Sequence, residues 1–377
     1  MNYKPDYAEP PGSTLEEALE ERGMSQADLA RRTGLSAKHI SQIVNGKASL
    51  TPETAARLEE VLGIRASLWN RLEANYQEAL LRLESAVPND DQLRWLKTLP
   101  VAELKRRGYL PDTRKKAELI VAARRFFRVA NEAAWDAVTP QPAILFRQSA
   151  AHPVDRAALG SWLEIVHRRA SSMSASTYNE ERFRSSLNEI RAESTSTRTE
   201  ISLWLEETCA SSGVRLVIEP EIAGSRVSGA AFWLHSVQPV LALSLRGKRD
   251  DKVWFSLFHE AGHLLLHAGN RDKQWIDDDE ATIDGIHEAQ ADAFARDWLI
   301  SDADAERLEQ IETIDAAKTF SAQIGVSPGI VIGRMQRDWS TRNNRSFSVG
   351  NELKRTVEFG PYDRNRDRWP VLRGKPT

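Results

Sequence analysis

Leu29, Leu35, Ile40, Ile43, Leu58 and Leu62 recur at the three-to-four spacing of helical faces, and the polar residues between them are helix punctuation. Ser25 predicts a cap for a helix over residues 26–33, with Asp28 in its first turn and Gly34 as its stop. Ser36 predicts the cap of a second helix running through Val44 and closed by Asn45-Gly46, and Thr51-Pro52 opens another. A small all-α bundle is the expectation. Much further along, the period changes: "GVRLVIEP", "SGAAFWLHS" and "PVLALSL" read as strands, the last two as a hairpin turning around Val237 to Pro239. A helix from Asp251 to about His267 follows, with Asp250 as its cap and Gly269 near its end. Trp254, Leu257, Phe258, Ala261, Leu264, Leu265 and Ala268 make one apolar stripe on it, suited to a sheet. The expected fold class is multidomain: an all-α bundle followed by an α+β domain.

Between these regions the chain is basic and helix-rich. Arg106, Arg107, Arg114, Lys115, Lys116, Arg124, Arg125 and Arg128 form its most cationic stretch, interrupted by Glu103, Asp112 and Glu118. A solvated face on a linker bundle is the preferred reading of that stretch, and a second phosphate-facing surface is the alternative. "RRASSMSASTYNEE" and "AESTSTRTE" are rich in Ser and Thr, which predicts a flexible joint around residues 170–200. After Ser340, weak periodicity and a basic bias predict a partly disordered tail.

Composition narrows the class without naming the chemistry. The 377 residues exceed one ordinary core and predict two or three domains. A hydrophobic fraction of 41% and a charged fraction of 28% are those of a globular protein with no bilayer span. No secretory pattern opens the chain, and the single cysteine, Cys209, cannot form an internal disulfide, so a cytoplasmic location is expected. A net charge of −3 exerts no global pull on nucleic acid, so any such binding must come from a local patch. One such patch exists: between Ser36 and Leu50 the only charged residues are Lys38 and Lys47. The two helices around Gly34 have a helix-turn-helix layout, whose second helix would present Ser36, Lys38, His39 and Gln42 to base edges or phosphates.

The second candidate chemistry lies in "FSLFHEAGHLLLHAG", residues 255–269. His259 and His263 stand one helical turn apart, so their ring nitrogens can converge on one ion, and Glu260 projects beside them. Neutral imidazoles suit zinc, and an adjacent carboxylate can take a proton from a water acidified by the ion. A His-Glu-x-x-His string arises by chance in roughly one chain in a hundred of this size, so context must decide. A third ligand is required, and "DGIHEAQADAFARDWLI" offers Glu288, with His287 as the alternative. Asp292, one turn after Glu288, is placed to accept an N–H from a liganding histidine.

Two resemblances join these signals. Residues 13–83 resemble Cro/repressor-type helix-turn-helix proteins, and "NGKASLTPETAARLEEVLGIRASLWNRLEANYQEAL" is similar to their HigA-like antitoxin branch. "FHEAGHLLLH" followed by "EAQADAFARDWLI", and then "IGVSPGIVIGRMQRDW", resemble the ImmA/IrrE metallopeptidases over about residues 200–340. The first resemblance implies binding to a double-stranded DNA operator by Ser36, Lys38, His39, Gln42 and Lys47, commonly as a homodimer. The second implies an α+β zincin-like domain with Zn2+ on His259, His263 and Glu288, Glu260 as catalytic base and Asp292 behind the ligands. Its implied activity is hydrolysis of a peptide bond in a partner protein, commonly a helix-turn-helix repressor, with no membrane involved. The expected layout is a DNA-binding domain over 1–85, a helical connecting region over 86–195, the peptidase domain over 196–340 and a tail over 341–377. Two rival readings stay open: a transcription factor whose peptidase-like domain senses a ligand or partner without cutting, and an antitoxin-like regulator that masks a toxin.

Overall fold

The computed structural model describes residues 7–85, 87–139, 154–267, 281–343, 350–363 and 368–376. The expected stripe position Ala268 and the expected stop Gly269 lie outside the described residues. The chain divides into two compact units, Met1–Leu96 with Pro111–Ala123, and Lys97–Leu110 with Arg124–Thr377.

The first unit is helical. It opens with α1 (Pro11–Glu21), α2 (Gln26–Thr33), α3 (Ala37–Val44), α4 (Pro52–Leu62) and α5 (Ala66–Ser85). The hydroxyls of Ser25, Ser36 and Thr51 accept the backbone N–H of Asp28, His39 and Thr54 at 3.1, 3.1 and 3.2 Å, so each helix starts at the cap its sequence supplies. Gly34 ends α2 in the left-handed region at φ 69°. Leu15, Leu29, Ile40, Ile43 and Leu58 close the core together with Trp69 from α5.

Four more helices follow: α6 (Asp90–Thr98), α7 (Val101–Arg106), α8 (Lys116–Phe127) and α9 (Glu132–Val138). Within the second unit, α10 (Arg156–Ser172), α11 (Glu180–Glu193) and α12 (Ser202–Ser211) precede a sheet of β1 (Arg215–Ile218), β2 (Gly229–Leu234) and β3 (Gln238–Leu243). The strand order is β1-β3-β2, with β1 parallel and β2 antiparallel to β3. The β2–β3 turn carries His235 and Ser236 at φ 50° and 60°, the left-handed backbone that matches hairpin twist. Across β2 and β3 lies α13 (Asp250–Leu266), along which α14 (Ala281–Leu299) packs. Trp254, Leu257, Phe258, Ala261 and Leu264 on α13 are fully buried against the sheet, as their spacing predicts. Then come α15 (Asp302–Leu308), α16 (Ile314–Ile324), α17 (Pro328–Asn343) and the ribbon β4 (Arg355–Phe359) and β5 (Val371–Pro376). No described helix is long and apolar enough to cross a membrane.

Several expectations need correction. The Ser-rich region is not a joint: Asn179 caps α11, and Phe183, Leu187 and Ile190 are completely buried in the second unit's core. Serines there serve the backbone, with Ser186 Oγ donating to Thr208 O at 3.4 Å, so polarity did not mean flexibility. Nor are the described residues past 340 a loose tail, because Val357 and Val371 enter the same core. Asp250 lies inside the first turn of α13 rather than at its cap, where its Oδ1 accepts the N–H of both Asp251 and Arg355 at 2.9 and 3.0 Å. It ties the helix start to the ribbon.

The basic stretch is in large part the solvated face expected, with Arg106, Arg114, Lys115, Lys116, Arg125 and Arg128 exposed, but several of its charges are paired. Arg124 pairs with Glu132 at 2.8 Å and Arg128 with Glu164 at 2.9 Å. Arg107 is buried: its Nη1 donates to Glu219 Oε1 at 2.5 Å, while Arg169 Nη1 donates to Glu219 Oε2 at 2.6 Å. All three side chains are at most 6% exposed. One carboxylate therefore neutralises two guanidiniums out of water, and its removal would strand both charges. Glu219→Ala should lower the stability of the second unit by about 3–5 kcal/mol, read as an earlier urea midpoint for its unfolding step. An unchanged midpoint would show that water reaches the arginines.

Candidate metal centre

Helix geometry places His259 and His263 on one face of α13, and a close helix approach supplies their partners. Gly262 makes that approach possible: a Cβ built there would lie 3.1 Å from the Phe294 ring and 3.2 Å from Ala291 Cα on α14. With α14 drawn in at Ala291, Glu288 and Asp292 on either side of it face the imidazoles. Glu288 Oε2 lies 3.2 Å from His259 Nε2, Glu288 Oε1 lies 3.2 Å from His263 Nε2, and the two Nε2 atoms are 3.1 Å apart.

The remaining ring nitrogens decide what those Nε2 atoms present. His259 Nδ1 lies 3.0 Å from Asp292 Oδ1, so it carries the proton and donates to the carboxylate. Asp292 is held in turn by Arg337, whose Nη2 donates to Oδ2 at 2.8 Å, and faces Arg296 at 3.7 Å. Burial alone would raise the pKa of Asp292, but His259 and the two arginines keep it below the usual carboxylate value. A second relay starts at His267. Burial pushes its pKa down to about 4, so the ring is neutral near pH 7. Its Nε2 donates to Gln290 Oε1 at 3.0 Å, leaving Nδ1 to accept from His263 Nδ1 at 3.2 Å. Once His259 has given up its second proton, both relays leave an Nε2 lone pair on His259 and on His263, aimed at one point beside Glu288.

Two ring nitrogens and a carboxylate this close need a positive charge among them, a proton on His259 in the metal-free chain or a metal ion in its place. Edges of 3.1, 3.2 and 3.2 Å are close to the roughly 3.3 Å separating the ligand atoms of a tetrahedral ion with bonds of about 2.0–2.1 Å. The donor set of two imidazoles and one carboxylate therefore fits zinc. Among the described residues, His259, His263 and Glu288 are the group whose ligand atoms converge in this way, within 4.8 Å of one another. His263 is nearly buried while the Glu288 side chain is 55% exposed, so the group opens toward solvent on the Glu288 side. His287, the alternative third ligand, instead faces His267 with ring centroids 4.3 Å apart.

Glu260 is buried beside them, and burial raises its pKa, with the nearby histidines pulling it back. Its room comes from β2: a Cβ on Gly229 would sit 2.6 Å from Glu260 Oε1 and 2.7 Å from its Cγ. A glycine is thus required opposite the carboxylate. The spacing of α13 made Glu260 legible, but nothing in the sequence near it announced Gly229, Gln290 or Arg337.

In the first unit, Ser36, Lys38 and Lys47 are exposed, and His39 and Gln42 half-buried. The Ser36 hydroxyl already accepts the N–H of His39, so its oxygen is engaged in capping α3.

Without metal, burial disfavours charge on His259, yet Asp292 and Glu288 outweigh it and raise its pKa well above the ordinary histidine value. Near pH 7 the metal-free ring is therefore protonated, and zinc must displace that proton. Zinc uptake by the metal-free chain at pH 7 should release about one proton and weaken as pH falls, measured calorimetrically in buffers of different ionisation enthalpy. His263→Ala should take up much less zinc. Uptake without proton release would contradict the charge state derived for His259.

Comparison with known proteins agrees with both halves of the chain. Residues 15–69 match the family model described as helix-turn-helix, and residues 209–336 match that of the IrrE N-terminal-like domain. Over 63 residues, 17% of this chain and 67% of the relative, the sequence is 35% identical to the HTH-type transcriptional regulator YddM of Escherichia coli (strain K12). The antitoxin HigA of Pseudomonas aeruginosa, solved with the higBA promoter, is 30% identical, with 20% of this chain and 83% of that chain covered at a TM-score of 0.20. An addiction module antidote protein of the HigA family from Coxiella burnetii is 27% identical, with 22% and 97% covered at a TM-score of 0.19. The chain belongs to the helix-turn-helix family through its N-terminal domain and joins to it an IrrE N-terminal-like domain of the M78 peptidase family.

Proposed function

We propose that this protein is a DNA-binding transcription regulator whose second unit is a zinc-dependent endopeptidase acting on a partner protein, a helix-turn-helix repressor. The observation that carries the reading is the convergence of His259 Nε2, His263 Nε2 and the Glu288 carboxylate beside a buried Glu260. Zinc held by those three residues would supply Lewis acidity to a scissile carbonyl and to a water. The chain's own part is to hold and move the proton. Glu260, in a site where burial favours its protonated form, accepts a proton from the attacking water and delivers it to the leaving amine. Asp292, fixed by Arg337, keeps the His259 proton on Nδ1 and its lone pair on Nε2. No covalent bond between the enzyme and its substrate is needed.

For DNA, the relative YddM, an HTH-type transcriptional regulator, supports the same use of the first unit. In that use α3 enters the major groove, Gln42 and His39 face base edges, and Lys38 and Lys47 meet phosphates. A pair of chains on two half-sites is the arrangement that suits such a module.

The peptidase reading is tested by comparing protein N-termini in cells expressing the wild-type chain or Glu260→Gln. New N-termini should appear with the wild type alone, while both forms hold about one zinc per chain. Gly229→Ala, which drives a methyl group into Glu260, should retain zinc and lose cleavage by roughly a hundredfold or more. Identical N-termini from both forms, with zinc present, would leave a regulator that senses without cutting. The DNA reading is tested on duplexes selected from random sequence by the wild-type protein. Lys38→Gln should weaken all of them and reduce the salt slope by about 1, whereas Gln42→Ala should cost about 1–3 kcal/mol and relax the preference at one position. Unchanged binding by both variants would move the interface off α3.

A further inference from the structure

Beside the metal centre, and separate from its ligands, the second unit holds an open cavity of about 860 Å³ between α13, α14, α17 and the turn at Gly247. Its cations are Arg246, Lys252, Arg296, Arg334, Arg337 and Lys354, and Asp251 is the acid in its lining. Phe255, Leu299, Ile300 and Ile330 supply an apolar wall, and the Arg337 guanidinium lies over the Phe255 ring at 4.9 Å.

Among the described residues, the acids nearby are fewer than the cations. Lys354 is neutralised by Asp251 at 2.6 Å and Arg334 by Asp338 at 2.8 Å, while Arg296 and Arg337 share Asp292. Arg246 donates to the carbonyl of Arg226 at 2.6 Å and has Glu221 only at 3.9 Å. The Lys252 ammonium is on an exposed residue and enters none of the side-chain hydrogen bonds or ion pairs among the described residues. Among the described residues, six cations thus meet Asp251, Asp338, Asp292 and Glu221, an excess of two positive charges around a concave space of ligand size.

We propose that this cavity binds a small organic phosphate, its phosphate oxygens taken by Lys252, Arg246 and Arg334 and its carbon skeleton laid on the Phe255 wall. Several cations converging on one concave space suit a compact polyanion better than single carboxylates spaced along an extended peptide. The site communicates with the metal centre through one side chain. Arg337 donates to Asp292, which orients His259, and the same guanidinium lines the cavity. A bound anion competes with Asp292 for it.

The test uses ADP on the full-length chain, with adenosine as the uncharged control and a tetraglutamate peptide as the acidic-peptide control, all followed by calorimetry at low salt. ADP should bind at one saturable site per chain and adenosine should not. Combining Lys252→Gln with Arg334→Gln should weaken ADP roughly tenfold or more, without changing zinc content or the circular dichroism spectrum. Absence of saturable ADP binding, or equal binding by the double variant, overturns the assignment. Tetraglutamate binding as tightly as ADP, and lost in the same variant, overturns it in favour of an acidic peptide.

Discussion

The metal centre depends on how closely two helices approach. Gly262 has no side chain to hold Ala291 and Phe294 away, so α14 comes down on α13 at the level of both histidines. A methyl group at position 262 would press on Ala291 Cα and the Phe294 ring, which would have to give by a few tenths of an ångström on the helix that carries Glu288 and Asp292. The apolar stripe beneath supplies the opposite constraint. Trp254, Leu257, Phe258, Ala261 and Leu264 anchor α13 to the sheet, so the helix cannot rotate to relieve a clash. The ligand geometry is thus a by-product of packing on both faces of one helix.

On that frame, each acid takes its role from its neighbours. Glu288 and Asp292 sit against imidazoles and guanidiniums, which hold their pKa values down and keep them ionised. Glu260, on the same helix as the histidines, is buried against the glycine of an edge strand, and desolvation raises its pKa. Carboxylates of one site are thus driven in opposite directions, Glu288 and Asp292 toward the ionised form and Glu260 toward the protonated one. His267 adds a third behaviour: kept neutral by burial, it passes an acceptor to His263 and so fixes which nitrogen of that ring faces Glu288.

Local signals were the legible ones. Ser25, Ser36 and Thr51 each act on a backbone N–H three residues away, so the starts of α2, α3 and α4 could be read to the residue. His259, Glu260 and His263 share one helix, and the spacing of Glu288 and Asp292 put both on one face of another. What eluded the sequence is long-range pairing. Arg107 looks like surface charge until Glu219, 112 positions away, comes to meet it. Arg337 likewise reaches Asp292 across 45 positions. Serine-rich composition misled in the other direction: Phe183, Leu187 and Ile190 carried a helical period that the surrounding serines obscured. The β4–β5 ribbon escaped because only Val357 and Val371 mark its buried side in the core.

Charge is therefore organised by neighbourhood, and the net value of −3 conceals it. In the first unit, Lys38 and Lys47 stand exposed on a segment without acids, the condition for meeting phosphates. Around 100–130 the basic residues are more numerous, yet Glu103, Glu132, Glu164 and Glu219 absorb much of their charge, and burial turns one of them into a structural tie. The Arg296–Arg337 pair lies between these extremes: both guanidiniums face the one carboxylate of Asp292. A shared carboxylate leaves residual positive potential at the guanidiniums, and it makes the orientation of His259 depend on whatever else they contact. Counting basic residues along the chain would place the anion-binding surface in the middle segment. Subtracting the acids that each fold neighbourhood supplies lowers that segment's excess, and it leaves Lys38 on α3 and Lys252 in the cavity lining as exposed cations.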